Sequence, residues 1–336
     1  MPQRDDAAEL MRLVNGYQAS QAIHVAATLG IADLLKDEPR TSDELAVATG
    51  TQPRPLYRLL RALAALGILR EAEGQRFTLT PMGAGLRSDA ANPAGPWAAF
   101  IGTPAHWQAW GDLLHSVRTG GSAFRHVHGT DPWTHRAQRP AESAVFDRAM
   151  TGLSRRAADA VIAAYDFGRF GRIVDVGGGQ GALLAAVLAA HPAAHGVLFD
   201  QPHVVSGAAD VLRAAGVEAR CEVVAGCFFE AIPEGGDAYV LKSILHDWDD
   251  DTATAILRTC RRAMAPGGAL IVIERVIAPP NEAAEAKLSD LNMLAMLGAQ
   301  ERTREEFAQL FTGAGFRLAD VTATGDVVSV IEGAPA

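Results

Sequence analysis

The stretch Ile173-Val174-Asp175-Val176-Gly177-Gly178-Gly179-Gln180-Gly181 joins a β-branched run, Arg172 to Val176, to an alanine- and leucine-rich run of helical length, Ala182 to Ala190. The flanks predict a buried strand and a helix. Four glycines fall within the five residues between them. Glycine is needed where φ turns positive or where a ligand lies against backbone, and a helix start offers free N–H groups. Strand, loop and helix start together predict a cofactor cradle. Gly177, Gly179 and Ala182 satisfy the spacing G-x-G-x-x-G/A, and Asp200, closing the next apolar run Gly196 to Phe199, is placed to receive a ribose hydroxyl pair. Nicotinamide cofactors and S-adenosylmethionine both carry that ribose, so the loop alone leaves the cofactor open.

Downstream, helix Val204 to Ala215, strand Cys221 to Ala225, strand Ala238 to Leu241, helix Thr252 to Met264 and strand Leu270 to Ile273 follow in order. That order predicts an α/β fold with a doubly wound, mostly parallel sheet. A helix from Arg304 to Thr312 and two runs, Phe316 to Ala323 and Asp326 to Glu332, turned at Thr324-Gly325, predict a C-terminal antiparallel hairpin on that sheet.

Upstream, Ala7 to Leu35 carries apolar residues at helical spacing. Ser42 reads as the N-cap of a short helix, Pro53 opens another through Leu66, and Ile68 to Glu71 with Arg76 to Leu79 form a hairpin. This is a winged-helix-like pattern. Arg54, Arg58 and Arg61 give the second helix a basic face that would suit a DNA-binding regulator, but the net charge of −9 favours a dimerisation module without nucleic-acid contacts. Ala90 to Pro104 reads as a hinge into a helical connector that holds Trp97, Phe100, Trp107, Trp110, Phe124, Trp133 and Phe146. Such aromatic density suits a flat apolar ligand. The chain thus divides into residues 1–90, a connector over 91–165 and a catalytic domain over 166–336.

Composition sets further bounds. No apolar run is long enough to span a bilayer, and Met1 to Asp6 lacks the apolar core of a signal peptide, so the expectation is cytoplasmic, away from membranes. Cys221, Cys227 and Cys260 show no C-x-x-C pairing, which argues against a disulfide framework or a zinc site.

Seven motifs in order resemble the S-adenosylmethionine-dependent small-molecule O-methyltransferases of the plant caffeate and bacterial polyketide-tailoring type. They are Asp175 to Gly181, Phe199-Asp200-Gln201-Pro202, Gly226-Cys227-Phe228-Phe229, Leu241 to Trp248, Pro266-Gly267-Gly268, Ile273-Glu274 and Glu301-Arg302-Thr303. The resemblance implies a Rossmann-like catalytic domain, a homodimer, S-adenosylmethionine without a metal, and an aromatic hydroxyl acceptor from secondary metabolism. It implies that Gly177, Gly179 and neighbouring Asp175 lie against the methionine portion, that Asp200 beside Gln201 takes the ribose, and that Phe228, with Gly226 and Cys227, flanks the adenine. Lys242 and Ser154 fall on the cofactor side; Met150 lies near the cofactor and the substrate face. The acceptor set is Trp107, Trp110, Phe146, Met150, Asn292, Met293 and Met296, the last three on a segment that covers the substrate in this family. Cys227 departs from the pattern: the family usually has an Asp there, bonded to the adenine amino group, and a thiol is a weak acceptor.

Methyl transfer is an in-line displacement that requires removal of the acceptor's proton. His246, just beyond the fourth sheet strand at the ligand-binding edge, is the candidate general base. Asp247, Glu274 and Glu301 are the acids expected around it; the resemblance gives Glu274 and Glu301 the task of bracketing the ring. A carboxylate on one imidazole nitrogen fixes the tautomer and makes the other more basic. Glu301 also reads as a helix-start acid beside Thr303. Two enzyme alternatives remain: other chemistry on the same scaffold, and a nicotinamide dehydrogenase, which the spacing of Tyr239 and Lys242, one residue short of Tyr-x-x-x-Lys, opposes.

Overall fold

A computed structural model describes residues 6–91 and 93–336, so the expectations that rest on Met1 to Asp5, and on Asn92 within the hinge, lie outside the described residues. The chain forms two units. The first holds the residues up to Trp107 together with Ala144–Leu153; the second holds Gln108–Ser143 and Ser154–Ala336. The connector is therefore divided between them.

In the first unit, β1 (Arg40–Thr41), β2 (Leu69–Ala72) and β3 (Arg76–Leu79) form an antiparallel sheet in the order β1-β3-β2. The helices Ser42–Thr49 and Pro53–Ala65 bury Leu45, Leu56, Leu60 and Leu63 against Phe77. The winged-helix-like pattern is thus present, with one correction. Thr41, not Ser42, caps the first helix: its hydroxyl accepts the Glu44 N–H at 3.2 Å while the Glu44 carboxylate accepts the Thr41 N–H at 2.7 Å. The reciprocal pair satisfies two otherwise unpaired donors. Ser42 instead donates its hydroxyl to Gln75 between β2 and β3.

The second unit is built on β4 (Arg172–Val176), β5 (His195–Asp200), β6 (Cys221–Ala225), β7 (Gly236–Lys242), β8 (Met264–Glu274), β9 (Phe316–Ala323) and β10 (Ser329–Pro335). Their order is β6-β5-β4-β7-β8-β10-β9, with β10 antiparallel to both β8 and β9 and the rest parallel. Central strands of such a sheet are covered on both faces. Accordingly, Ile173, Val240, Ile271 and Ile273 pack with Val161, Leu184 and Leu188, whereas Val174, Tyr239, Leu270 and Val272 pack with Ile256, Leu257, Phe307 and Phe311. Strand order reverses between β4 and β7, where such folds bind ligands.

Two expected elements differ. Val204 to Ala215 is two helices, Pro202–Val205 and Ala208–Ala214; Gly207 between them lies so close to the Gln180 amide that an added Cβ would come within 2.5 Å of it. The final strand begins at Ser329, because Thr324 and Asp326 are held in a longer turn in which the Thr324 hydroxyl donates to the Val328 carbonyl at 2.6 Å.

Candidate active site

The glycine loop leaves β4 with Gly177, Gly179 and Gly181 at φ of +68°, +62° and +81°, a region closed to most side chains. Space as well as backbone matters at Gly177: a Cβ there would come within 2.4 Å of the Ile244 Cδ1, with the Phe228 ring at 3.7 Å. An added Cβ on Gly179 would meet only open space. Asp200, at the tip of β5, braces the loop directly. One of its carboxylate oxygens accepts the Gly179 N–H at 2.8 Å and the other accepts the Gln201 N–H at 2.6 Å. A carboxylate has acceptor capacity beyond these two bonds.

Beneath the loop, Asp175 is 2% exposed, and neither side-chain oxygen has a hydrogen-bond partner among the described residues. Burial, reinforced by the Asp200 charge and opposed by Lys242, raises its pKa to about 7. Burial lowers the Lys242 ammonium to about 8, with Arg275 adding to the effect. Phe228 sits edge-on to Phe229 and Trp248, and Gly226 approaches Phe199 so closely that a Cβ would meet its ring at 2.5 Å. The Cys227 carbonyl accepts the Glu230 and Ala231 N–H groups, closing the turn that carries Phe228.

Across the strand-order reversal, β7 hands over to the single helical turn Leu245–Asp247 through Ser243, whose φ is +56°. A non-glycine residue in that region is strained, and such strain persists only where surroundings enforce it. Here the enforcing group is Glu274 at the tip of β8. Its Oε1 accepts the backbone N–H groups of Ile244, Leu245 and His246 at 3.0, 2.6 and 3.3 Å. Glu274 therefore grips the turn with one oxygen while its carboxylate stays within 4.8 Å of the His246 ring, without a hydrogen bond to it among the described residues.

The imidazole is held by Glu301. Its Oε1 lies 3.1 Å from His246 Nδ1 and also accepts the Ser289 hydroxyl at 2.7 Å. Asp247 lies 3.6 Å from Nε2, on the far side of the ring. His246, Glu274 and Glu301 are 7%, 1% and 3% exposed. Burial alone would lower the His246 pKa, but Glu301, Asp247 and Glu274 outweigh it and raise it to about 9. Burial raises Asp247 to about 7. Glu301 is not a helix-start acid. The helix Arg304–Gly313 is capped by Thr303 with Glu306, and the Glu301 N–H is pinned to Asp290 at 2.9 Å.

The expected acceptor residues divide between the units. Trp107, Phe146 and Met150 belong to the first, where Phe146 packs edge-on against Phe100. Ser154 is where the helix Pro140–Ala164 passes back to the second unit after the stretch Ala144–Leu153. Trp110 donates its indole N–H to Asn292 at 2.8 Å, and Ser122 donates to the Met296 carbonyl at 2.8 Å, which ties the connector to the helix Ala284–Leu297. A cavity of about 280 Å³ is lined by Trp133, Trp248 and Met296, among others. Sequence reasoning placed Ile244 and Trp248 in the motif Leu241 to Trp248 without giving them a task, and it missed Ser289 and Asp290, which act through Glu301, distant in the chain.

Two family descriptions match the chain: an O-methyltransferase domain over residues 110–317 and an O-methyltransferase dimerisation domain over residues 11–88. The chain is 43% identical to a phenazine O-methyltransferase of Lysobacter antibioticus, over 97% of this chain and 95% of that one. Among solved structures it is similar to LaPhzM, at 43% identity and a TM-score of 0.94, covering 98% and 99% of the two chains. It is also similar to CalO1, a methyltransferase in calicheamicin biosynthesis solved with S-adenosylhomocysteine bound, at 37% identity and a TM-score of 0.84 over the full length of both.

Proposed function

Because the chain belongs to the S-adenosylmethionine-dependent O-methyltransferases, we propose that it methylates a hydroxyl of a flat aromatic secondary metabolite, with His246 taking the hydroxyl proton. The observation that carries this reading is the buried His246–Glu301 pair beside a glycine loop on the same sheet edge. The residues present fit the cofactor: the loop's four glycines leave Gln180 as its one side chain, and the Asp200 carboxylate stands at the tip of β5 bracing the loop. When bound, S-adenosylmethionine supplies an electrophilic methyl group on a sulfonium sulfur. Asp175, Gly177 and Gly179 would hold its methionine portion, Asp200 and Gln201 its ribose, Gly226, Cys227 and Phe228 its adenine, and Lys242 and Ser154 would flank it.

In the neutral ring, Nδ1–H donates to Glu301, which leaves the Nε2 lone pair to accept a proton from the acceptor hydroxyl. A phenol, with a pKa of about 10, is a suitable proton donor for a base tuned to about 9. The acceptor wall in the second unit would be Trp110, Asn292, Met293 and Met296, beside the cavity lined by Trp133 and Trp248. Aromatic linings favour a flat ligand, and the phenazine-acting relative is consistent with one. Retention of the His246–Glu301 pair favours methyl transfer over other chemistry on this scaffold.

Calorimetric titration with S-adenosylmethionine, S-adenosylhomocysteine and nicotinamide cofactors tests the first step, and a mass-spectrometric screen of phenolic fused-ring acceptors tests the second. Micromolar binding of the first two alone and a gain of one methyl on a phenol are expected; binding of a nicotinamide would overturn the reading. A homodimer is proposed on the dimerisation-domain match and on Leu10, Met11, Leu13 and Val14, each more than half exposed on the first helix. Analytical ultracentrifugation at twice the chain mass is the expected result. Among the described residues, no helix is long and apolar enough to cross a membrane.

A further inference from the structure

Arg302 is fully buried, and its guanidinium is spent entirely on the segment that carries His246. Nη1 donates to the Leu245 carbonyl and Nη2 to the Trp248 carbonyl, both at 2.8 Å, while Nε donates to Asp250 at 2.9 Å, where the next helix begins. The Arg302 backbone is itself fixed: its carbonyl accepts the Ile277 N–H at 2.9 Å, and the residue bridges to Val276 just beyond β8. Burying a guanidinium is costly unless its donors are satisfied with good geometry, and an apolar residue of similar volume would fill the space at lower cost. What an apolar residue lacks is a rigid fork able to hold two carbonyls at once. Glu274 already collects the amide side of the strained turn, so Arg302 supplies the opposing grip on its carbonyl side. Glu301 and Arg302 are consecutive, so one dipeptide fixes the His246 ring and the backbone carbonyls of Leu245 and Trp248 that flank it.

We propose that Arg302 is a positioning residue for methyl transfer, locking the Leu245–Trp248 backbone so that the His246 imidazole stays seated on Glu301 with its other nitrogen presented to the acceptor. The inference rests on His246 as base, but its test reads the imidazole itself. The groups facing that ring are Glu301, Asp247 and Glu274, with Arg275 next to Glu301 at 3.8 Å.

The experiment is a pH titration of histidine ring resonances by NMR in the full-length protein, with His246 assigned by its absence in His246→Ala. Arg302→Met and Arg302→Lys are compared with the parent chain. Removing a nearby positive charge would by itself raise the pKa of His246; losing the seat on Glu301 lowers it. The proposal expects a fall of about one pH unit or more in both variants, including Arg302→Lys, which keeps the charge and loses the fork. Calorimetric affinity for S-adenosylhomocysteine should stay within about threefold, the scale expected of an unaltered cofactor edge. An unmoved or raised His246 titration in either folded variant would overturn the proposal. If Arg302→Met does not fold, Arg302→Lys, which keeps the charge, carries the test with the same sign. Full turnover by His246→Ala would defeat the base assignment separately, leaving the titration result interpretable.

Discussion

The two halves of the ligand-binding edge are built by opposite means. On the β4 and β5 side, the backbone does the shaping: alternate glycines adopt conformations that other residues avoid, and Asp200, 21 positions from Gly179, is the long-range brace. On the β7 and β8 side, ordinary residues make a strained turn that holds only because buried charged side chains grip it. Glu274 reaches back 29 residues to the Leu245 amide, Glu301 reaches 55 to the His246 ring, and Arg302 reaches 57 to the Leu245 carbonyl. The proposed cofactor cradle is written locally, whereas the proposed base requires charges brought together from separate elements.

The largest expected effect separates the two sides outright. His246→Ala should lower methyl transfer by about a hundredfold or more, the usual scale for a general base, with calorimetric binding of S-adenosylhomocysteine retained. Full activity in this variant would erase the distinction. Next, Glu301→Gln should move the rise in kcat/KM against pH. In the parent chain the active, neutral imidazole accumulates as pH increases toward about 9, so the rate climbs through that range. Without the carboxylate, the midpoint should drop toward the ordinary histidine value of about 6.5, and the rate above it should fall about tenfold or more because the tautomer is no longer fixed. A midpoint left near its parent value would assign the raised pKa to Asp247 and Glu274 instead.

A smaller effect probes the seam between the halves. Gly177→Ala combines a φ of +68° with a contact to Ile244, a residue of the opposite side. Strain of about 1–3 kcal/mol should weaken cofactor binding about tenfold or more. A loss confined to affinity keeps the halves separable; an equal loss in single-turnover rate would mean that Ile244 transmits the disturbance to the base. The smallest change is Cys227→Asp, which replaces a weak acceptor by a strong one and should tighten cofactor binding by about a few-fold, measured by calorimetry. A large loss of affinity there would assign the thiol a role of its own.

The same contrast explains what was legible in the sequence. The glycine loop, Asp200, the parallel sheet and its terminal hairpin follow from periodicity and from residues confined to special backbone conformations. The motif around His246 pointed to the right edge, and Glu301 to the right ring. The grip of Glu274 on three backbone amides was not legible, because a carboxylate that binds amides leaves no mark distinguishing it from one that binds a side chain. Nor was the split of Val204 to Ala215 at Gly207, where Gln180, a neighbour from the glycine loop, leaves no room for a Cβ. The Thr41 cap was missed by one residue, as adjacent Thr and Ser are equivalent until the reciprocal Glu44 bond is seen.

The bond between Trp110 and Asn292 joins segments 182 positions apart. A chimaera that takes the helix Ala284–Leu297 from one parent and the connector from another keeps this bond only where the two parents supply a matching donor and acceptor; a mismatch leaves an indole N–H or an amide oxygen without its mate in a half-buried wall. With the acceptor wall proposed above, acceptor preference would be inherited as a matched pair of distant segments. Recombination between relatives should succeed when both cross over together and lose expression or selectivity when either travels alone.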